Sequence, residues 1–197
     1  MNIPYQQGVK EGRTSPEFIE ESRKKPLFDI LYENKFPEAD MIDDQGYVPL
    51  LTEADLHMGV NQPFVGTRKL GVDPSGEGDD LTLLVARDRF KAKVTAREKI
   101  STSKSIAQLT FTSMMALQIK PQDVYVDNFG EGANVSQELA LAKKRVNSVN
   151  VGHPAEDDVR FYNKRAEAFW RIKEWLRNGG ELIGKGWEEL LVIKYRV

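Results

Sequence analysis

The chain has 197 residues, and its 28 lysines and arginines nearly balance 30 aspartates and glutamates, giving a formal net charge of −2. This balance excludes a globally basic nucleic-acid binder, so a polyanionic partner must be met by a local patch. The absence of cysteine excludes disulfides, thiolate catalysis and Cys-ligated zinc, and two histidines, His57 and His153, are too few for a histidine metal cage. Any metal must therefore have oxygen ligands, which favours Mg²⁺ or Mn²⁺.

The sequence shows neither a membrane-spanning nor a secretory segment. No apolar run approaches the roughly 20 residues that a transmembrane helix needs, and the first ten residues lack the apolar region of a signal peptide. We therefore expect a protein that is soluble inside the cell and has no membrane partner.

The first third of the chain predicts short helices separated by turns. Either Ser15 caps a helix whose first turn accepts Pro16, or Thr14 and Glu17 form a capping box, and this helix should end near Lys24. Further short helices are predicted at about residues 28–34 and 52–58. We interpret this part as a helical N-terminal appendage that packs on something else.

From Lys69 the pattern changes to that of an α/β domain, which we assign to residues 68–197, leaving residues 1–67 as the linker or appendage. Apolar runs bounded by turns predict the order βββαβαβα. The predicted strands are 70–72, 81–87, 92–98, 124–126 and 146–151, and the predicted helices run from 101 or 102 to about 120, from about 134 to 145 and from about 159 to 178. The first three strands should form an antiparallel meander, and right-handed crossovers should add the last two in parallel.

The last predicted helix carries apolar residues at helical spacing, which indicates a core face rather than a base-stacking surface. These residues are Phe169, Trp170, Ile172, Trp175 and Leu176.

Two aspartates end apolar strands in this domain. Asp73 precedes a turn rich in Gly, Pro and Ser, and Asp127 precedes a glycine-interrupted loop. An aspartate in either place often only starts a turn. Neighbouring parallel strands, however, end at the same edge of a sheet, where open α/β sheets place their sites. The pairing therefore predicts that both carboxylates converge on a metal site.

Paired carboxylates at a sheet edge suit phosphodiester hydrolysis. This reaction needs a more acidic water, relief of charge on the phosphate and a stabilised leaving oxygen, and two divalent ions about 3.5–4 Å apart supply all three. We predict that Asp73 bridges two Mg²⁺ or Mn²⁺ ions and that Asp127 binds one of them. Asp79 is a candidate outer ligand, although an aspartate there is more often a plain turn residue, and Asp80 is the less favoured choice because it lies closer to the next strand.

Three motifs follow one another along this domain. They are Gly71-Val72-Asp73-Pro74 with Gly78-Asp79-Asp80, then Val124-Tyr125-Val126-Asp127-Asn128-Phe129-Gly130-Glu131-Gly132, then Tyr162-Asn163-Lys164-Arg165-Ala166-Glu167. In this order and spacing they resemble the nuclease domain of the large terminase subunit of tailed bacteriophages and prophages, from about residue 69 to the C-terminus.

The resemblance implies a ribonuclease-H-like mixed sheet, made of the antiparallel meander and two parallel strands and flanked by helices. It implies a Mg²⁺- or Mn²⁺-dependent endonuclease that cuts concatemeric double-stranded viral DNA at the start and end of packaging, in the cytoplasm of the bacterial host. The terminase small subunit and the portal would be its protein partners.

Two departures from the family bear on activity. No Gly-x-x-x-x-Gly-Lys-Ser/Thr motif occurs, so this chain is not the packaging motor. The family takes its third essential acid from a Ser-Pro-Asp-like motif after the final strand, and the sequence stops at Val197 before such a motif, so we expect a truncated domain that binds metal weakly and cuts poorly. Glu167, Asp157 and Asp158 are candidate substitutes, and the spacing favours none of them.

Candidate DNA contacts accompany the acids in the sequence. Lys164 and Arg165, at the start of the last predicted helix, can contact phosphates, although surface solvation, or pairing of Arg165 with Glu167, explains them almost as well. Gly130 and Gly132 either let a phosphate backbone approach closely or only permit positive φ. Nothing in the sequence resembles a major-groove reader, so we expect no base specificity from side chains.

Two other interpretations share these residues. Actin-like sugar kinases also open with a strand, an aspartate and a glycine-rich turn that grips nucleotide phosphates, but they need a second, similar half for which this chain has no room. A domain without its third acid could instead be a docking module that binds the portal or duplex DNA without cutting it.

Overall fold

The computed structural model describes residues 5–23, 28, 32–33, 42–59, 65–76 and 79–196. Its elements in chain order are α1 (Tyr5–Lys10), α2 (Pro16–Arg23), β1 (Tyr47–Pro49), α3 (Glu53–Leu56), β2 (Lys69–Asp73), β3 (Thr82–Arg87), β4 (Lys91–Glu98), α4 (Ser103–Leu117), a 3₁₀ turn (Pro121–Asp123), β5 (Val124–Asp127), α5 (Gly132–Leu141), β6 (Asn147–Val149), α6 (Lys164–Arg177), β7 (Glu181–Ile183), a 3₁₀ turn (Glu188–Val192) and β8 (Lys194–Arg196). No helix in these described ranges is long and apolar enough to cross a membrane.

The chain forms two compact units, residues 1–50 with 192–197, and residues 51–191. In the first unit, the Ser15 hydroxyl accepts a hydrogen bond from the Phe18 N–H at 3.1 Å, so the predicted cap and helix are present as α2. Strand β1 pairs antiparallel with β8 in the same unit. The helix predicted at 28–34 lies mostly outside the described residues, and the predicted domain boundary after residue 67 stays a prediction.

The second unit is built on a mixed sheet of six strands in the order β6-β5-β2-β3-β4-β7. Strand β3 runs antiparallel to both β2 and β4, whereas β5, β6 and β7 join by parallel pairing. The predicted meander and its two parallel strands are therefore confirmed, and helices flank the sheet as predicted. Strand β7 is an addition that the sequence analysis missed, because only three residues, Glu181 to Ile183, take part in it.

The alternation of buried and exposed residues along the strands fixes which face of the sheet is covered. Leu70 and Val72 of β2, and Val124 and Val126 of β5, are almost fully buried and belong to one core with residues of α4 and α5. Each such side chain contributes about 1.5–3 kcal/mol when fully buried. Because side chains alternate in a strand, the intervening residues of β2 and β5 point to the opposite face.

Two helix bounds differ from the prediction for reasons visible in the caps. Helix α5 ends near Leu141 rather than residue 145 because Lys143 adopts a left-handed φ of 59° and the Lys144 N–H donates to the Leu139 carbonyl at 2.8 Å. Helix α6 begins at Lys164 rather than near residue 159, because the Asn163 side chain caps it by accepting from the Ala166 N–H at 2.9 Å.

The apolar residues predicted as the core face of α6 are only partly enclosed. Leu176 is buried, whereas Phe169, Trp170, Ile172 and Trp175 are half-buried. The Trp175 indole N–H donates to the carbonyl of Arg89 at 2.7 Å. This side chain therefore makes a polar contact as well as apolar ones.

Candidate metal centre

The two predicted aspartates lie side by side at one edge of the sheet. Val72 of β2 pairs with Val126 of β5 in the parallel register, and Asp73 and Asp127 are the next residue on each strand. Their side chains share the face opposite the buried valines. The structure therefore brings together the two carboxylates that the sequence placed at separate strand ends.

A buried hydroxyl network holds the turn that follows Asp73. The Ser75 N–H donates to the Thr82 hydroxyl at 3.0 Å, and both hydroxyls reach the Ile100 carbonyl, at 2.7 Å from Ser75 and 2.9 Å from Thr82. Because Ser75 and Thr82 are buried, these bonds are costly to leave unmade, and they fix the chain immediately after Asp73.

The turn after Asp127 is held by its own side chain and by a glycine. The Phe129 N–H donates to Asp127 Oδ1 at 3.1 Å, which makes an Asx-type turn. A Cβ on Gly132 would overlap the carbonyl oxygen of Asp127 and stand 2.7 Å from its carbonyl carbon, so glycine is needed there for close packing. Gly130 has a φ of 59°, which favours glycine for its backbone conformation.

The site carries an excess of negative charge. Desolvation raises the pKa of Asp73 even though its side chain remains exposed to the cleft, and the neighbouring charge of Asp127 raises this pKa further. Arg165 opposes the rise, whereas Asp80 and Glu189 add to it. A divalent cation beside Asp73 would relieve this repulsion.

Asp73 opens onto a cleft of about 560 Å³. The described residues that line it include Asp73, Asp79, Asp80, Glu131, Glu189 and Arg97. No sequence pattern predicted the last three as residues of the site. Arg97 could have been predicted, because strand alternation places it on the same face of the sheet as Asp73. Glu189 could not, because it comes from a 3₁₀ turn that has no periodic sequence pattern.

The two residues predicted to contact DNA, Lys164 and Arg165, lie near different acids. The charge of Arg165 acts on Asp73 in the cleft, whereas the charge of Lys164 acts on Glu167. The N–H groups of both residues donate to carbonyls of the preceding loop, Lys164 to His153 at 2.9 Å and Arg165 to Val151 at 3.0 Å. The start of α6 is thus anchored beside the acids.

The other acids considered for the site have partners of their own. Asp79 lines the cleft but pairs with Lys99 Nζ at 2.6 Å. Glu167 is buried, pairs with Arg171 and accepts the Glu156 N–H at 2.8 Å, and these contacts hold the pKa of Glu167 below its usual range.

The two acids predicted with Glu167 as substitutes for a third ligand lie in the loop before α6. Asp157 accepts the Arg160 N–H at 3.2 Å, and Asp158 is exposed.

The donor set fits a hard divalent ion. In the part of the chain that the structure describes, no three Asp, Glu or His side chains are grouped closely enough to form a metal cage by themselves. Mg²⁺ commonly binds through one or two carboxylates, with waters and substrate phosphates completing its shell. Asp73 and Asp127 therefore fit one hydrated ion, and a second ion would need further oxygen ligands.

The sheet order, with two aspartates at adjacent ends of parallel strands, defines a ribonuclease-H-like fold. The chain is similar to the nuclease domain of the large terminase subunit gp2 of bacterial virus Sf6, at 16% identity over 73% of this chain and 78% of that chain, with a TM-score of 0.54. Mutant forms of that domain are similar over the same shares, at 16% identity and a TM-score of 0.57 with manganese and beta-thujaplicinol, and at 15% and 0.54 with calcium.

At these identities the likeness shows the fold, and it confirms the fold class and the resemblance predicted from the sequence. No protein-family model and no curated protein sequence matches the chain.

Proposed function

We propose that this chain is a divalent-metal-dependent DNA endonuclease of the kind found in viral terminase large subunits. The observation that carries the proposal is the convergence of Asp73 and Asp127 at the ends of paired parallel strands. The similarity in fold to the Sf6 nuclease domain, which was solved with manganese or calcium, supports the same chemistry. Mn²⁺ or Mg²⁺ is the proposed cofactor and double-stranded DNA the proposed substrate.

Asp73 and Asp127 would hold the ion between them, with Asp73 the bridge to a second ion if two bind. The bound metal would supply a more acidic water and relieve charge on the scissile phosphate. Arg165 adds a positive charge close to Asp73, where it can offset the charge of a phosphate. Asp79 remains a proposed outer ligand, and it would have to leave Lys99 to act as one.

A nicking assay tests this proposal. We expect the wild-type chain to convert supercoiled plasmid to nicked and linear DNA in Mn²⁺ but not in EDTA, and we expect Asp73→Ala and Asp127→Ala each to abolish the conversion. Mn²⁺ binding, measured by calorimetry, should be lost in the same two variants. A matched control is Asp123→Ala, because Asp123 precedes β5 and so lies at the opposite end of that strand from Asp127.

Two results would refute the proposal. One is metal-independent cleavage, and the other is unchanged Mn²⁺ binding in both aspartate variants. Metal binding and DNA binding without any cleavage product would instead favour the docking module. The terminase small subunit and the portal remain proposed partners.

A further inference from the structure

Two cations lie at the same sheet edge as the aspartates. Strand β4 runs parallel to β2 because both are antiparallel to β3, so Arg97, near the end of β4, and Lys99, just after it, lie at this edge. Arg97 pairs with Leu83, and Leu83 pairs with Asp73, so one cross-strand row joins Arg97 to Asp73. Two strand spacings separate the ends of this row, which corresponds to about 10 Å.

Arg97 is positioned rather than free. Its guanidinium pairs with Glu189 Oε1 at 3.2 Å, and an added Cβ on Gly186 would stand 3.4 Å from Arg97 Nη1. Arg97 and Glu189 both line the cleft that holds Asp73. The segment after β7 therefore braces the arginine inside the cleft.

Arg97 and Lys99 each pair with an exposed carboxylate that another anion can replace. The side chains of Arg97 and Glu189 are 47% and 73% exposed, and those of Lys99 and Asp79 are 64% and 100% exposed. Exposed ion pairs of this kind contribute little to stability, because water screens both charges. A phosphate can therefore replace Glu189 or Asp79 at small cost, and an arginine can bind it through two parallel hydrogen bonds.

We propose that Arg97 and Lys99 bind the backbone phosphates of the DNA strand next to the metal centre, and that Glu189 and Asp79 hold these cations until DNA replaces them. This inference rests on the proposed nuclease function and adds a substrate-positioning role for β4. The phosphates bound by Arg97 and Lys99 would lie about 10 Å along the sheet edge from the one at Asp73.

The test measures binding of a fluorescein-labelled 20-base-pair duplex by anisotropy across a salt series, with Ca²⁺ in place of Mn²⁺ and a gel to verify that the duplex stays intact. We expect Arg97→Gln and Lys99→Gln each to weaken binding by roughly tenfold. Each should also lower the slope of log affinity against log salt by about one. Lys93→Gln is the matched control, because Lys93 is exposed on β4 but lies toward the opposite edge.

Two further variants separate phosphate binding from a structural role of the ion pair. Glu189→Gln breaks the same pair as Arg97→Gln, yet it should strengthen DNA binding by about two- to fivefold, because it frees the arginine and removes a negative charge. Arg97→Lys keeps the charge and should restore the salt slope.

The inference is overturned if Arg97→Gln and Lys93→Gln bind DNA equally well, or if Glu189→Gln weakens binding as much as Arg97→Gln does. Metal-dependent cleavage by the wild type together with either result would leave the proposed function standing. A wild-type chain that neither binds nor cuts DNA would refute both.

Discussion

A methyl group at Gly132 should displace the candidate metal centre by pressing on the main chain of Asp127 rather than on its carboxylate. The added Cβ would overlap the Asp127 carbonyl oxygen and stand 2.7 Å from the carbonyl carbon. Non-bonded carbons come to rest about 3.5–4.0 Å apart, so the carbon contact alone requires the end of β5 to move by about 1 Å, and the overlap with the oxygen requires at least as much. Gly132 has no positive φ, and the effect is therefore purely steric.

Displacement on this scale is costly for catalysis. A misplacement of about 1 Å typically lowers a rate by about a hundredfold, and overpacking lowers the free energy of unfolding by about 1–3 kcal/mol. We therefore expect Gly132→Ala to nick plasmid about a hundredfold more slowly in Mn²⁺, with weaker Mn²⁺ binding. Its melting temperature should fall by about 2–12 °C, at about 2–4 °C per kcal/mol for a chain of this size.

The control lies on the neighbouring strand. A Cβ on Gly71 of β2 would stand 3.8 Å from the Val85 carbonyl oxygen, which is an ordinary contact, so Gly71→Ala should retain activity and stability. Gly132→Ala must remain folded by circular dichroism for the comparison to count as a site effect. Equal nicking rates and equal Mn²⁺ affinities in the two variants would refute the steric reasoning.

Three further predictions follow from the electrostatics of the site. Because the folded-state pKa of Asp73 is raised, the folded chain loses stability as the pH rises from the unfolded pKa through the folded pKa. In metal-free buffer at neutral pH, Asp73→Asn should therefore gain up to about 1 kcal/mol in free energy of unfolding. Mn²⁺ should raise the melting temperature of the wild type but not of this variant, and a wild type that is already the more stable without metal would contradict the prediction. Glu167→Gln should lower the melting temperature, because it weakens the contacts to Arg171 and the Glu156 N–H. The Mn²⁺ affinity should stay unchanged, and a loss of Mn²⁺ binding would instead make Glu167 a ligand. DNA and Ca²⁺ should strengthen each other's binding by the same factor in calorimetric titrations, since coupling is reciprocal, and independent binding would show that charge repulsion does not govern the cleft.

Much of the fold was predictable because strong local signals agreed. The apolar runs of β2, β3 and β4 are separated by short turns, and the helix caps at Ser15 and Thr102 lie where sequence rules put them. Asp73 and Asp127 could be paired from the sequence because parallel register and a right-handed crossover leave few alternatives.

The remaining features depend on contacts that have no local signature. Strand β7 has three residues, too few for a periodic pattern, and it exists because β4 offers it an edge. Gly132 looks like any loop glycine until its distance from Asp127 is known. Glu189 reaches the cleft from a 3₁₀ turn more than a hundred residues after Asp73, and only the tertiary structure relates the two.

The proposed action on DNA has to be reconciled with a net charge of −2, and the distribution of charge within the cleft does so. The described acids that line the cleft outnumber its single lining arginine, so the empty cleft repels a phosphate backbone. An ion at Asp73 and Asp127 removes part of that repulsion, and the cations of β4 become available only when they leave their own carboxylates. For the proposed nuclease, the local field at the sheet edge, rather than the total charge, would decide DNA binding, and the divalent ion would serve both the DNA-binding surface and the chemistry.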